Sequence, residues 1–258
     1  MLGELTRADV IQRLQPVLNS GWYVRPEDGK IIMAQAGTFT ENAWVFVKTP
    51  DAGDTMFCKY FHDVCHKCFN LVHSRCMSCW KVVFRPQSVE QLFTMHDVMC
   101  NELSDITCKC GEERRPYVFG NYGCYFYGKS KEHGLENYNR VRSAVANNPK
   151  LRSLLKAKDS KGRTKHLILK RACTEFEMSH GDSDKWAHTD LDNYWEARLE
   201  DIIEKPVTDQ PQPDYVKDHI MRGWLKFAYD RGDASALVYN NGHPFYPDYI
   251  KYHPGGKR

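Results

Sequence analysis

The chain has 258 residues, 41% of them hydrophobic and 12% aromatic, with a formal net charge of +3 at pH 7. That is enough apolar material for a packed core, which excludes a disordered chain, and no apolar run approaches the roughly 18 residues of a membrane span. Met1–Arg7 carries neither the basic nor the apolar region of a signal peptide, so a soluble cytoplasmic protein with no membrane partner is expected, its 10 cysteines being ligands or free thiols in preference to disulfides.

Charge is unevenly spread. Residues 129–171 hold 13 Lys/Arg against 3 Asp/Glu, and residues 174–218 hold 13 Asp/Glu against 4 Lys/Arg. Such asymmetry fits either a polyanion-binding patch or two segments that neutralise each other on folding.

From the N-terminus, Leu5, Val10, Leu14 and Leu18 fall near helical spacing, and Thr6-Arg7-Ala8-Asp9 loosely fits a capping box. Ile31-Ile32-Met33 and Trp44-Val45-Phe46-Val47 have strand composition, and Pro50–Asp54 is a turn that closes a small helix-and-strand unit over residues 1–55.

A Cys-rich module spans residues 56–80. Its pairs Cys65-x-x-Cys68 and Cys76-x-x-Cys79 stand seven residues apart. A C-x-x-C turn aims two thiolates at one point, and two turns complete a tetrahedral shell, which suits a structural Zn2+ or a 4Fe-4S cluster. Cys58, His62, His66 and His73 are substitutes for that shell. Cys100, Cys108 and Cys110, with Cys58, offer a second set.

Residues 81–184 carry alternating patterns. Lys81–Arg85 is a predicted strand, and Ser88-Val89-Glu90-Gln91 opens a helix with Val89, Leu92, Phe93, His96, Cys100 and Leu103 on one face. Tyr117–Phe119 and Gly123–Tyr127 are predicted as the next two strands. Leu135, Tyr138, Val141 and Val145 mark a second helix, and His166–Met178 a fourth strand. This β-α-β-β-α-β order is that of a ferredoxin-like sheet. Residues 185–258 continue as an acidic helical extension that ends in a Pro- and aromatic-rich tail.

Two groups of residues are candidates for chemistry. Strand alternation through Met178 would put Cys173, Glu175 and Glu177 on one face, a set suited to acid–base work or to the Mg2+ of a phosphoryl-transfer centre. The plainer alternative is a solvent-facing strand end balanced by the basic block. Alternation also gathers Tyr125 and Tyr127, joined by Phe119, beside Lys156, Lys158, Lys161, Arg163 and Lys165. An aromatic face next to a basic segment stacks single-stranded bases and holds phosphates, while core packing explains the same aromatics. The chain has no P-loop, no dinucleotide fingerprint, no H-E-x-x-H and no G-x-S-x-G.

The expected molecule is therefore an α+β protein: a ferredoxin-like sheet with an inserted metal module and a helical C-terminal extension. Its leading function is zinc-stapled nucleic-acid binding or processing. One alternative is a metalloenzyme, either an iron–sulfur redox protein or a divalent-metal phosphoryl-transfer enzyme or nuclease using Glu175 and Glu177. The other is an assembly subunit that docks a protein partner through its tail.

Overall fold

The computed structural model describes residues 6–18, 20–33, 43–49, 58–204 and 211–245. In chain order these form α1 (Arg7–Leu14), β1 (Trp22–Val24), β2 (Ile31–Met33) and β3 (Trp44–Lys48). A continuous helical run follows, made of α2 (Cys58–Tyr60), a π-wound stretch (Phe61–His66) and α3 (Lys67–Phe69). Next come α4 (Ser74–Ser78), β4 (Trp80–Phe84), α5 (Val89–Glu102), β5 (Cys108–Glu112), β6 (Tyr122–Gly128) and α6 (Lys131–Asn147). The chain continues through β7 (Leu167–Arg171), α7 (Thr174–His180), α8 (Asp190–Ile202), β8 (Ile203–Glu204) and α9 (Asp214–Asp230).

The result is a mixed α/β fold with two sheets. The larger has the order β3-β5-β6-β4-β7 with every neighbouring pair antiparallel, and the smaller has the order β1-β2-β8. Because side chains alternate across a strand, each sheet face has its own composition. On one face Val82 and Phe84 of β4, Cys108 and Cys110 of β5, and Cys124 and Phe126 of β6 pack with α5, α6 and α9 into the main core. The intervening residues, Lys81, Lys109, Tyr125 and Tyr127 with Trp44 and Phe46 of β3, form an aromatic and cationic opposite face.

A second core joins α1, β1, β2, the 58–69 run, α7 and α8 through Val10, Leu14, Trp22, Val64, Phe176 and Leu199. Residues 58–79 pack into that core: Tyr60, Val64 and Phe69 bury themselves as a hydrophobic helix face does, and Leu71 follows them in. Among the described residues no helix is long and apolar enough to cross a membrane. The tail proposed for partner docking lies, over residues 246–258, outside the described residues.

Three local expectations are corrected. The second strand of the larger pattern is Cys108–Glu112 and not Tyr117–Phe119, which lies in a turned segment after Pro116 where Val118 donates to the Arg115 carbonyl. Cys108 and Cys110 are wholly buried and act there as small hydrophobes. The buried face of α5 is Val89, Leu92, Met95, Val98 and Met99, which leaves Cys100 exposed. The last strand stops at Arg171. Ala172 takes a left-handed φ of 50°, its amide donates to the Cys79 carbonyl at 2.8 Å, and the chain turns into α7 with Cys173 as N-cap. Cys173, Glu175 and Glu177 therefore share no strand face.

Candidate metal centre

The turn at Ala172 delivers Cys173 to the polar side of the large sheet. There Lys81 of β4, only 7% exposed, donates from Nζ to Cys173 Sγ at 3.1 Å. His62, in the π-wound stretch, hydrogen-bonds to the same sulfur and stacks on Phe176 of α7 with ring centroids 4.5 Å apart. Burial opposes a thiolate at this point, but the Lys81 ammonium and the His62 imidazole outweigh it and bring the Cys173 thiol down to about 6. In return, burial presses Lys81 toward neutrality while the Cys173 sulfur holds it charged, so its pKa is raised.

Glu175 sits one residue into α7 from Thr174 and turns the same way. Arg115 Nη1 donates to its Oε1 at 2.7 Å, and the Tyr117 hydroxyl donates to the same oxygen at 3.0 Å. Arg115 is itself fixed by both carboxylate oxygens of Glu113, of which Oε2 also accepts the Tyr125 hydroxyl at 2.8 Å. Burial disfavours the Glu175 carboxylate, yet its own backbone amide, Arg115 and Tyr117 hold it ionised with a pKa of about 2. Its second oxygen, Oε2, is buried and has no hydrogen-bond partner among the described residues. A buried carboxylate oxygen without a partner is costly unless something positive meets it.

His62, Cys173 and Glu175 each present one donor atom, and these atoms lie within 4.8 Å of one another. Three donors of imidazole, thiolate and carboxylate type at that separation can chelate a single divalent ion. Arg115 and Tyr117 orient the carboxylate from outside, as partners of metal ligands do. The cluster borders a cavity of about 570 Å3 lined in part by Cys58, His62, Lys81, Cys173 and Phe176.

The residues expected to act are distributed differently. Of Cys65, Cys68, Cys76 and Cys79, the last two line the cavity, whereas Cys65 is wholly buried in the second core, where burial raises its thiol to about 12. Cys68 donates to the Asp63 carbonyl at 3.3 Å. Cys65 and Cys76, one from each C-x-x-C pair, both belong to the second core, with Cys68 packed partly against it. The second thiol set is split by the sheet: Cys108 and Cys110 belong to the main core, while Cys58 adjoins Lys109, Lys81 and Cys173 on the opposite face.

Cys173 and Glu175 come together. Glu177 does not join them, because Lys170 forms an ion pair with its carboxylate and Ser183 Oγ donates to it at 2.9 Å. Nor do the aromatics form an open platform. Tyr125 is 6% exposed with its hydroxyl spent on Glu113, and Tyr127 is half-buried beside Lys81. Only Phe119 stands out in solvent, with Lys165 over its ring at 4.6 Å. Lys156, Lys158, Lys161, Arg163 and Lys165 are exposed, with Arg163 paired to Asp159.

Lys81 and Arg115 were not anticipated. A lysine inside the apolar run Trp80–Phe84 was the available signal, since a buried ammonium requires an anion nearby. Compared with protein-family models, curated proteins and solved structures, the chain matches none, so the geometry of this centre is what speaks to function.

Proposed function

We propose that the protein is a metal-dependent enzyme whose centre is one divalent cation held by His62, Cys173 and Glu175. The donor set favours zinc, since thiolate and imidazole together suit that ion better than Mg2+ or Ca2+. The observation that carries the reading is the buried Glu175 Oε2, an oxygen of an ionised carboxylate that lacks a hydrogen-bond partner among the described residues, with Arg115 and Tyr117 on Oε1, in a residue grouped with the thiolate and imidazole. Three protein ligands are the pattern of catalytic zinc, whose remaining position takes water or substrate and lowers the pKa of bound water to about 7. Around such an ion, Lys81 would donate to the Cys173 sulfur and moderate its charge, and Arg115 would hold the carboxylate in place.

The strand order supports a finer reading of the fold. From β4 to β7 the elements run strand, helix, strand, strand, helix, strand and lie in the order β5-β6-β4-β7, which is the split βαβ arrangement of a ferredoxin-like unit with β3 added at its edge. The centre then lies on the face that the α5 and α6 helices leave uncovered.

The test is metal analysis after equilibration with Zn2+ and gel filtration. One zinc per chain is expected, with His62→Ala, Cys173→Ser and Glu175→Gln each reducing it, and with Co2+ substitution giving a thiolate charge-transfer band. Full zinc occupancy in both Cys173→Ser and Glu175→Gln would reject the centre.

A second reading has its own support. The 3.1 Å contact from Lys81 and the pKa of about 6 also describe an activated nucleophile, with Cys173 attacking and His62 carrying protons. Activity that survives exhaustive chelation but not Cys173→Ser would favour it over the metal.

A further inference from the structure

We infer that the cavity beside this centre binds a small phosphorylated ligand, an ester or anhydride of nucleotide size or less. The metal reading enters only in saying which end of the ligand would react. The inference rests on the wall of the cavity. Among the described residues, Lys48, Arg75, Lys81, Lys129 and Arg140 line it with two carboxylates, those of Asp105 and Glu136. Arg140 already clamps Asp105 through two bonds of 2.7 Å, and Lys48 donates to the Asp105 carbonyl at 2.9 Å. With the Cys173 thiolate counted, five cations stand against three anions among the described lining residues, so the lining keeps a positive excess.

Phe61, Phe176 and Ile106 complete the wall with apolar surface. A charged cleft with low-dielectric walls concentrates its field on the opening, so an anion is drawn in more strongly than the charge count alone suggests. A monocarboxylate would satisfy one of these cations. A phosphate carries up to two charges and several acceptor oxygens, and so can meet an ammonium and a forked guanidinium together. Arg75 on α4 is the guanidinium outside the Asp105 pair. A volume of about 570 Å3 falls within the usual range for small-molecule sites. A recessed, half-open cleft of that size takes a mononucleotide-sized anion or the end of a longer one, which the displacement test below distinguishes.

The ligand would span two kinds of wall. Its phosphate would lie beside Lys48 and Arg75, and its reacting group would face His62 and Cys173. Electrostatic clamping of phosphoryl oxygens by cationic side chains is the usual preparation for their chemistry.

Calorimetric titration of the full chain with pyrophosphate, with and without one equivalent of Zn2+, tests the inference. Saturable one-to-one binding that weakens with ionic strength is expected. Arg75→Gln should weaken it about tenfold, the scale of one charge-assisted contact. Lys161→Gln, on the exposed basic loop, should leave it unchanged. Arg75 is exposed on a short helix, so its replacement is not expected to cost the fold. Zinc uptake without any pyrophosphate binding would overturn the anion site and leave the metal centre standing. Conversely, binding that is sensitive to Arg75→Gln in protein that takes up no metal would uphold the anion site while the metal reading falls. Single-stranded oligonucleotide binding that pyrophosphate does not displace, and that Lys161→Gln weakens, would overturn the inference in favour of a surface polyanion site.

Discussion

At the scale of single residues, the chemistry turns on Lys81 and Cys173. A buried lysine without an anion would neutralise itself, and a buried thiol without a cation would stay protonated. Placed 3.1 Å apart, each supports the charged form of the other. Cys173, which ordinarily titrates near 9, is held at about 6, so the unfolded chain binds this proton more tightly than the folded one. The sign follows: the stabilisation is fully present above about pH 9 and is lost as pH falls through about 6. In metal-stripped protein, the stability difference between wild type and Cys173→Ala, measured by urea unfolding, should widen from pH 6 to pH 9 and level off beyond. Lys81→Gln should raise the Cys173 pKa, which the pH dependence of iodoacetamide alkylation read by mass spectrometry would show as a shift to higher pH. Arg115 acts one step further out. Its replacement by Met releases Glu175 Oε1 and should cost about 10- to 100-fold in zinc affinity, as loss of an outer partner commonly does. An unchanged zinc dissociation constant in Arg115→Met would remove Glu175 from the centre.

At the scale of elements, the centre depends on how closely strands and helices meet. α6 rests on β6 and β4 through two glycines. A Cβ at Gly128 would fall 2.7 Å from the Gly134 amide nitrogen, and one at Gly134 would fall 2.8 Å from the Trp80 Cβ. Backbone cannot yield there as a flexible side chain would. Gly128→Ala should destabilise the fold by about 1–3 kcal/mol, the usual cost of overpacking, and, since Gly128 and His133 border the cavity, should also weaken any ligand in it. Chemical denaturation and the pyrophosphate titration check the two effects separately. The strands at 80–84 and 122–128 and the helices α5 and α6 were legible in the sequence because their alternation and caps are local signals. Ser88, for instance, caps α5 by accepting the Gln91 amide at 3.2 Å. The last strand was misread because nothing in Arg171-Ala172-Cys173 announces a left-handed alanine; the bond from its amide to Cys79, 93 positions earlier, fixes that turn. The same long-range cause hid the centre: Cys173 and Glu175 were visible as a pair, whereas His62 and Lys81 become their neighbours only through the sheet register and the second core. The C-x-x-C spacing pointed to metal, and one cysteine of each pair, Cys65 and Cys76, is buried in the second core.

At the scale of the molecule, the candidate centre is a junction between two cores. His62, Cys173 and Glu175 come from elements of the second core, and Lys81 and Arg115 come from the large sheet and the segment after β5. Buried Lys81 and half-buried Arg115 bridge them through polar contacts to Cys173 and Glu175, so a cation there should act on both sides. Zinc at a hundred times its dissociation constant stabilises the folded state by about 2.7 kcal/mol, which for a chain of this size corresponds to a rise of several degrees in Tm. If the ion joins the cores, protection from hydrogen exchange should increase in residues 58–69 and 174–180, and also in β4 across the junction. If it only decorated α7, the gain would stay within that helix. Trp224→Ala supplies the control, because Trp224 is wholly buried in the main core, and its loss should cost about 3–5 kcal/mol without changing zinc stoichiometry. A zinc-induced rise in Tm that persists undiminished in Glu175→Gln would mean that the ion binds elsewhere, and the junction would then owe its stability to Lys81, Arg115 and their partners alone.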